Sequence, residues 1–251
     1  MGYEGKVAII TGSGQGIGRV YAHRLAEGGA KVVIADVNEK KALQVAEEIK
    51  ESGKEALGIG VDVANHHQIE EMTRTVASIY GRIDILINNA AIFSTLKPTP
   101  FDQISDEEWD RVFEVNMKGM FLCCKAVVPY MKKQRSGRII NISSGAALEG
   151  GGTYLHYTSS KAAVLGFTKG LARELGEYNI TVNALCPGLT ITEVPRATLT
   201  EEQKSDLLRR QCIKRTGKPE DLAGVVSFLC TDEASFISGQ CISVDGGVIM
   251  R

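Results

Sequence analysis

The chain has 251 residues, 43% hydrophobic and 24% charged, with Lys plus Arg at 29 against Asp plus Glu at 30. Those values exclude a disordered or fibrous chain, and the length suits one α/β domain over 1–251. A net charge of -1 lacks the basic excess of a dedicated nucleic-acid binder, so no nucleic-acid partner is expected.

Short apolar runs alternate with amphipathic segments from the start. Val7–Ile10 reads as a strand, the glycine-rich stretch after it as a turn, and Gly16 to about Glu27 as a helix. Lys31–Asp36 is a second strand, followed by the helix Glu39–Glu51 with Asn38 as its N-cap. A third strand over Ala56–Val61 leads to a helix capped by Asn65, and Ile83–Ile87 is a fourth strand. Helices are expected at Ser105–Phe113 and Met117–Lys133, a strand at Arg138–Ile142, a long helix at Tyr157–Leu175 and a strand at Ile180–Leu185. A helix at Glu220–Leu229 and a strand at Cys241–Val244 complete the series. Continuous Val/Ile runs separated by helices predict a doubly wound parallel sheet of about seven strands, a single-domain Rossmann fold. The stretch 189–216 lacks this rhythm and is read as a substrate flap with a short helix at Glu201–Arg210.

The composition has one excess, 27 glycines, above the usual share of about 7%. Several (Gly28, Gly53, Gly81, Gly176) read as helix ends. The six cysteines (Cys123, Cys124, Cys186, Cys212, Cys230, Cys241) show no metal-ligand spacing and read as small buried hydrophobes in a reducing compartment. No metal site is expected. The apolar run near the start is too short for a signal peptide or a membrane span, and Lys6 stands where a myristoylation pattern needs Ser or Thr. A cytoplasmic protein without a membrane partner follows.

The first strand runs into Thr11-Gly12-Ser13-Gly14-Gln15-Gly16-Ile17-Gly18 and then a helix. A helix start exposes unpaired N–H groups, and glycines let a phosphate approach them, so Gly12, Gln15, Gly16, Ile17 and Gly18 are candidate cofactor-binding residues. Asp36 ends the second strand, where a carboxylate can bond ribose hydroxyls and repel a 2′-phosphate. With Val37 beside it, Asp36 predicts NAD in preference to NADP; Lys40 and Lys41 read as the solvated face of the next helix. Asp62 and Val63 are placed at the adenine edge, although Asp62 could equally cap a helix. Asn89, Ala90 and Ala91 would let the cofactor pass close to the sheet.

Tyr157 and Lys161 stand four apart on one helical face, where an ammonium would lower the phenol's pKa and make Tyr157 a general acid/base. Tyr154 has Thr158 at the corresponding place and so lacks a lysine partner. Together, Thr11–Gly18 (TGSGQGIG), Asn88–Ala91 (NNAA), Asn116, Ser144, the Tyr157/Lys161 pair and Pro187-Gly188 through Thr192 resemble the short-chain dehydrogenase/reductase family over essentially the whole chain. Ala91 departs from the family's usual glycine. The resemblance implies that Tyr157 moves a proton at the substrate oxygen and that Lys161 binds the nicotinamide ribose. It gives Ser144, 13 residues before Tyr157, the hydrogen bond to that oxygen and Asn116 a water relay to Lys161. It places Pro187, Gly188, Leu189, Thr190 and Thr192 against the nicotinamide.

The substrate wall is expected at Phe93, Ser94, Thr95, Gly145, Leu148–Gly152, Tyr154, His156 and Leu189–Arg196, with Phe93, Ser144, Leu148, Tyr154 and Tyr157 as the candidate substrate-binding residues. His156 reads as structural. The expected activity is NAD(H)-dependent interconversion of a small-molecule secondary alcohol and ketone. The alternatives are reduction of a 3-oxoacyl thioester and, from a different class, a non-catalytic dinucleotide sensor. Of two family positions for an acidic carrier protein, one holds Arg135 and the other Tyr178. The resemblance further implies a homotetramer.

Overall fold

The computed structural model describes residues 2–195 and 199–250. One seven-stranded parallel sheet forms its centre, in the order β3-β2-β1-β4-β5-β6-β7. The strands are β1 (Val7–Thr11), β2 (Lys31–Asp36), β3 (Ala56–Gly60), β4 (Ile85–Asn88), β5 (Gly137–Ile142), β6 (Ile180–Pro187) and β7 (Cys241–Val244). The helices are α1 (Gly16–Glu27), α2 (Glu39–Glu51), α3 (His66–Tyr80), α4 (Asp106–Phe113), α5 (Met120–Gln134), α6 (Ala146–Glu149), α7 (Leu155–Leu175), α8 (Glu201–Arg210) and α9 (Pro219–Leu229).

Alternation along the buried strands explains the two helical layers. In β1, Ala8 and Ile10 face a core completed by α1, α2 and α9, whereas Val7 and Ile9 face one completed by α3, α5 and α7. Asn38 and Asn65 cap α2 and α3 as expected, accepting from Lys41 N and from His67 N and Gln68 N. After β3 the chain crosses to β4 on the far side of β1, and an open α/β sheet offers its ligand crevice outside the strand ends at that switch point, between β1 and β4.

Three local features differ from expectation. The helices predicted at 105–113 and 117–133 join through a π-helical segment, Glu114–Gly119. The one-turn α6 carries too little periodicity to be read. Gly28, Gly81 and Gly176 stand at the C-caps of α1, α3 and α7 as expected, Gly81 in the left-handed conformation at φ 73 and the other two at φ -79 and -59. Cys123, Cys124, Cys186 and Cys230 are buried as expected, but Cys212 is exposed.

Candidate functional site

A cavity of about 1080 Å³ opens along the C-terminal edge of the strands, just above the roughly 300–1,000 Å³ typical of a single ligand pocket. Its walls include Gly12, Gln15, Gly16, Ile17, Asp36, Val37, Asp62, Val63 and Asn89–Ala91 at one end. Ser144, Tyr157, Lys161, Pro187–Thr190 and Thr192 lie along the middle, with Phe93 and Tyr154 beyond. The expected residues Gly18, Asn116 and Leu148 are not among the lining residues.

The glycine turn is shaped by close backbone packing. Gly12 sits at φ 61, and a Cβ there would lie 2.7 Å from Ala90 Cα. A Cβ on Gly18 would run into Gly12 O and lie 2.6 Å from Asn89 Nδ2. Gly18 therefore lets α1 close against the turn and lies behind the surface that a ligand would touch. Asn89 braces the same knot: its Nδ2 donates to Thr11 O (3.0 Å) and Gly12 O (2.8 Å). Thr11 Oγ1 accepts from Asn89 N and Ala90 N at 3.0 and 3.1 Å, a role that needs a contact 78 residues away and that local sequence does not signal. Helix α1 has no side-chain cap and no acidic residue in its first turn. Its first N–H, from Gly16, donates to Glu193 Oε1 at 2.8 Å, so the flap lays a carboxylate on the positive end of the helix.

Asp36 accepts from Gly14 N and Asn38 N, both at 2.9 Å. Lys41 lies closer to this corner than a purely solvated face would place it: its ammonium bonds Gln15 Oε1. Asn65 takes the capping role that Asp62 could have filled. Asp62 Oδ1 instead accepts from Ala64 N at 2.9 Å, and Arg111 reaches Oδ2 at 3.4 Å.

Ser144, Tyr157 and Lys161 converge from β5 and α7. Ser143 Oγ donates to Lys161 O at 2.7 Å, which spends that hydroxyl on docking α7. Ser144 Oγ accepts from Ala146 N at 3.2 Å, and Ser144 lines the cavity. Lys161 Nζ donates to Ile142 O at 2.8 Å and lies 6.0 Å from the Tyr157 ring centroid. Burial pushes the Lys161 pKa down to about 8. Phe93 stacks on Tyr157 at 4.2 Å between centroids. Asn116 is a strut here: its Oδ1 accepts from Ile92 N at 2.7 Å and its Nδ2 donates to Ser160 Oγ at 3.1 Å. Its side chain ties the loop after β4 to the catalytic helix, and the π turn that carries it is a bulge of the kind often found at functional sites.

At the substrate end, Ser94, Gly145, Glu149, Gly150–Gly152, Leu189, Thr190, Thr192 and Val194 line the cavity, whereas Thr95, Leu148, Ile191 and Glu193 do not. Leu148 is half-buried on α6. Arg196 lies outside the described residues. His156 is fully buried, with Nε2 3.2 Å from Glu108 Oε1, as a structural residue should be. Sequence reasoning missed Glu202, Asp206, Leu207, Arg209, Arg210 and Gln211, which α8 and its end bring to the wall. Their only advance signal was the flap helix itself. Among the described residues no helix is long and apolar enough to cross a membrane, and no His/Cys/Asp/Glu group could hold a metal ion.

The family described as enoyl-(acyl carrier protein) reductase matches residues 12–249. A 3-oxoacyl-(acyl-carrier-protein) reductase of Staphylococcus epidermidis is 41% identical over 98% of this chain and 99% of its own length. A dehydrogenase subunit of Thauera aromatica, named for (2S)-((R)-hydroxy(phenyl)methyl)succinyl-CoA, is 40% identical over 98% of each chain. The fold superposes on a 7α-hydroxysteroid dehydrogenase, complexed with NADH and 7-oxo glycochenodeoxycholic acid, with a TM-score of 0.93 and 36% identity, covering 98% of this chain and 94% of that one. With its fold, its turn and its Ser–Tyr–Lys group in these positions, the chain belongs to the short-chain dehydrogenase/reductase family of oxidoreductases.

Proposed function

We propose that the protein interconverts a secondary alcohol and a ketone with NAD(H). The observation that carries the cofactor choice is Asp36, whose carboxylate is fixed by Gly14 N and Asn38 N at the ribose corner, where it would accept from the ribose hydroxyls and repel a 2′-phosphate. A dinucleotide suits the turn because bare Gly12 and Gly18 let it pack closely on Ala90 and Asn89 at the start of α1, where unpaired N–H groups favour a phosphate. The NADH in the hydroxysteroid dehydrogenase complex supports the same choice.

When bound, the nicotinamide supplies the hydride acceptor or donor. The chain supplies the proton and the geometry. Tyr157 gives its phenolic proton to the substrate oxygen in reduction and takes it back in oxidation. Ser144 Oγ donates to that oxygen and stabilises charge developing on it. Lys161, fixed by Ile142 O, holds the ribose hydroxyls and favours the phenolate. Gly12, Gln15, Gly16 and Ile17 hold the pyrophosphate, with Gly18 supporting them from behind. Val37, Asp62 and Val63 border the adenosine. Asn89–Ala91, Pro187–Thr190 and Thr192 line the nicotinamide half, while Phe93 and Tyr154 border the substrate.

A second reading, reduction of a 3-oxoacyl thioester, is favoured by the 41% identity to a reductase of that name. Lys132 Nζ lies 4.5 Å from the Tyr178 ring centroid and Arg135 beside it at 6.0 Å, so the face suggested for an acidic carrier holds two cations. Initial rates with NADH and NADPH on simple ketones and acetoacetyl-CoA decide. Faster turnover of simple ketones with NADH supports the first reading, an NADPH preference overturns the cofactor choice, and a dominant thioester rate installs the second. Tyr157→Phe should lower kcat by about a thousandfold with NADH binding retained, and a near-normal kcat overturns the role of Tyr157.

We also propose a cytoplasmic homotetramer, supported by the exposed Phe121 on α5 and Leu155 on α7. A light-scattering mass of 27.1 kDa would overturn the tetramer.

A further inference from the structure

Glu149 and Arg210 meet across the substrate end of the cavity. Arg210 Nη2 donates to Glu149 Oε2, joining the last residue of α8 to the last residue of α6. Both side chains line the cavity that holds Ser144 and Tyr157. Among the described lining residues the cations are Arg111, Lys161, Arg209 and Arg210. Arg111 is engaged by Asp62 and Glu114 at the nucleotide end. Lys161 donates to Ile142 O, and Arg209 is paired with Asp206 on its own helix. Arg210 alone of these reaches across the opening.

The seat it offers is tied to the reacting centre. Ala146 N donates to Ser144 Oγ (3.2 Å), Ala147 N to Ser144 O (3.1 Å) and Glu149 N to Gly145 O (3.1 Å). At about 1.5 Å of rise per residue, the end of α6 lies within roughly 10 Å of Ser144. The remaining wall mixes apolar Phe93, Tyr154, Leu199, Leu207 and Val248 with Glu202, Gln203, Asp206 and Gln211, so Arg210 is the cation set among them that crosses to α6. Glu149 itself can leave: it ends a four-residue helix, and a side chain at Gly150 or Gly152 would meet nothing within 4 Å. A guanidinium has five N–H donors in a fork matched to a carboxylate, and Glu149 engages one nitrogen.

We propose that Arg210 is the receptor for a carboxylate on the substrate, remote from the reacting carbon, and that Glu149 occupies this seat until the substrate displaces it. The substrate class is therefore an oxo acid and its hydroxy acid. This deepens the alcohol–ketone reading and rests on it. The exchange replaces one carboxylate by another, so Arg210 stays paired throughout while Glu149 turns to solvent. Asp206, which also faces Arg210, keeps its own partner, Arg209.

The test compares 5-oxohexanoate with its neutral methyl ester as substrates of the full-length protein with NADH. Wild-type kcat/KM for the acid should exceed that for the ester by at least about tenfold, through KM. Arg210→Met should bring the ratio to about one, and Glu149→Gln should raise it about threefold by emptying the seat. Equal treatment of acid and ester by the wild type, or an unchanged ratio in Arg210→Met, overturns the proposal. Calorimetric titration with 5-oxohexanoate reads the seat without turnover: weaker binding to Arg210→Met supports it, and equal binding overturns it. Failure to reduce either compound or any other ketone would instead remove the underlying functional reading.

Discussion

At the nucleotide end of the cavity the walls are strand ends and bare backbone; at the substrate end they are side chains carried by a one-turn helix, a glycine run and a flap. Thr11 and Ser13 are essentially sealed from solvent, and the bonds that brace Thr11, Gly12 and Gly14 come from adjacent strands and their loops. Helix α8, in contrast, has no buried residue. A segment with few buried apolar contacts belongs to the low-stability part of a structure. On the proposed function, the contrast teaches that an unvarying ligand falls to the rigid centre of the sheet and the substrate to parts that can rearrange. The two ends touch where Glu193 of the flap bonds Gly16 N.

The sharpest way to break the rigid end is Gly18→Ala. The added methyl runs into Gly12 O and Asn89 Nδ2, so stability should fall by about 1–3 kcal/mol and NADH affinity by at least about tenfold, read by thermal unfolding and fluorescence titration. An unchanged affinity would show that the knot is not what shapes the turn.

Lys161→Met tests the boundary between the ends. Burial holds the Lys161 pKa down near 8 against its ordinary 10.5. Below pH 8 the group is protonated in both folded and unfolded chains, and burying its charge opposes folding in full. Between about 8 and 10.5 the folded chain releases its proton first and the penalty fades. The substitution should therefore abolish turnover yet stabilise the fold by about 1–2 kcal/mol at pH 7, with the gain shrinking toward pH 10.5. A gain that grows with pH would overturn the assignment.

Glu193→Gln removes one negative charge from the helix start that a pyrophosphate would share. NADH should bind a few-fold tighter, corresponding to about 0.3–1 kcal/mol; weaker binding would mean that the carboxylate straps the flap over the ligand. The smallest effect is expected at Gly152→Ala, where nothing lies within 4 Å. Stability should stay within about 0.5 kcal/mol of wild type, and a larger loss would show the substrate wall to be less adaptable than its packing implies.

The strands, most helices and the pairing of Tyr157 with Lys161 were legible because each rests on local rules. Val/Ile runs give strands, Asn38 and Asn65 give helix starts, and Tyr157 with Lys161 shares a face through a four-residue spacing. What escaped the sequence depends on contacts between distant segments. Gly18 was assigned to the cofactor surface from its motif and Leu148 to the substrate wall from its place beyond the sheet edge, yet neither lines the cavity. The Asn116 side chain ties Ile92 to Ser160, a strut that its place in the motif does not signal. The Arg210–Glu149 and Glu193–Gly16 pairs join residues 61 and 177 positions apart, and periodicity carries no information at that range.

Tyr3 is fully buried, and its hydroxyl lies 2.8 Å from Ser227 Oγ. Tyr21, Ala22 and Leu25 of α1 share a core with Leu222, Val226 and Leu229 of α9. During synthesis, β1 to β6 can therefore assemble while one side of the earliest helix still has no cover. A nascent or truncated chain that stops before residue 219 would hold the glycine turn, Tyr157 and Lys161, and yet expose an apolar flank of the kind that chaperones and aggregation compete for. Fragments of that length should accumulate in the insoluble fraction of a cell although they carry the residues assigned to chemistry.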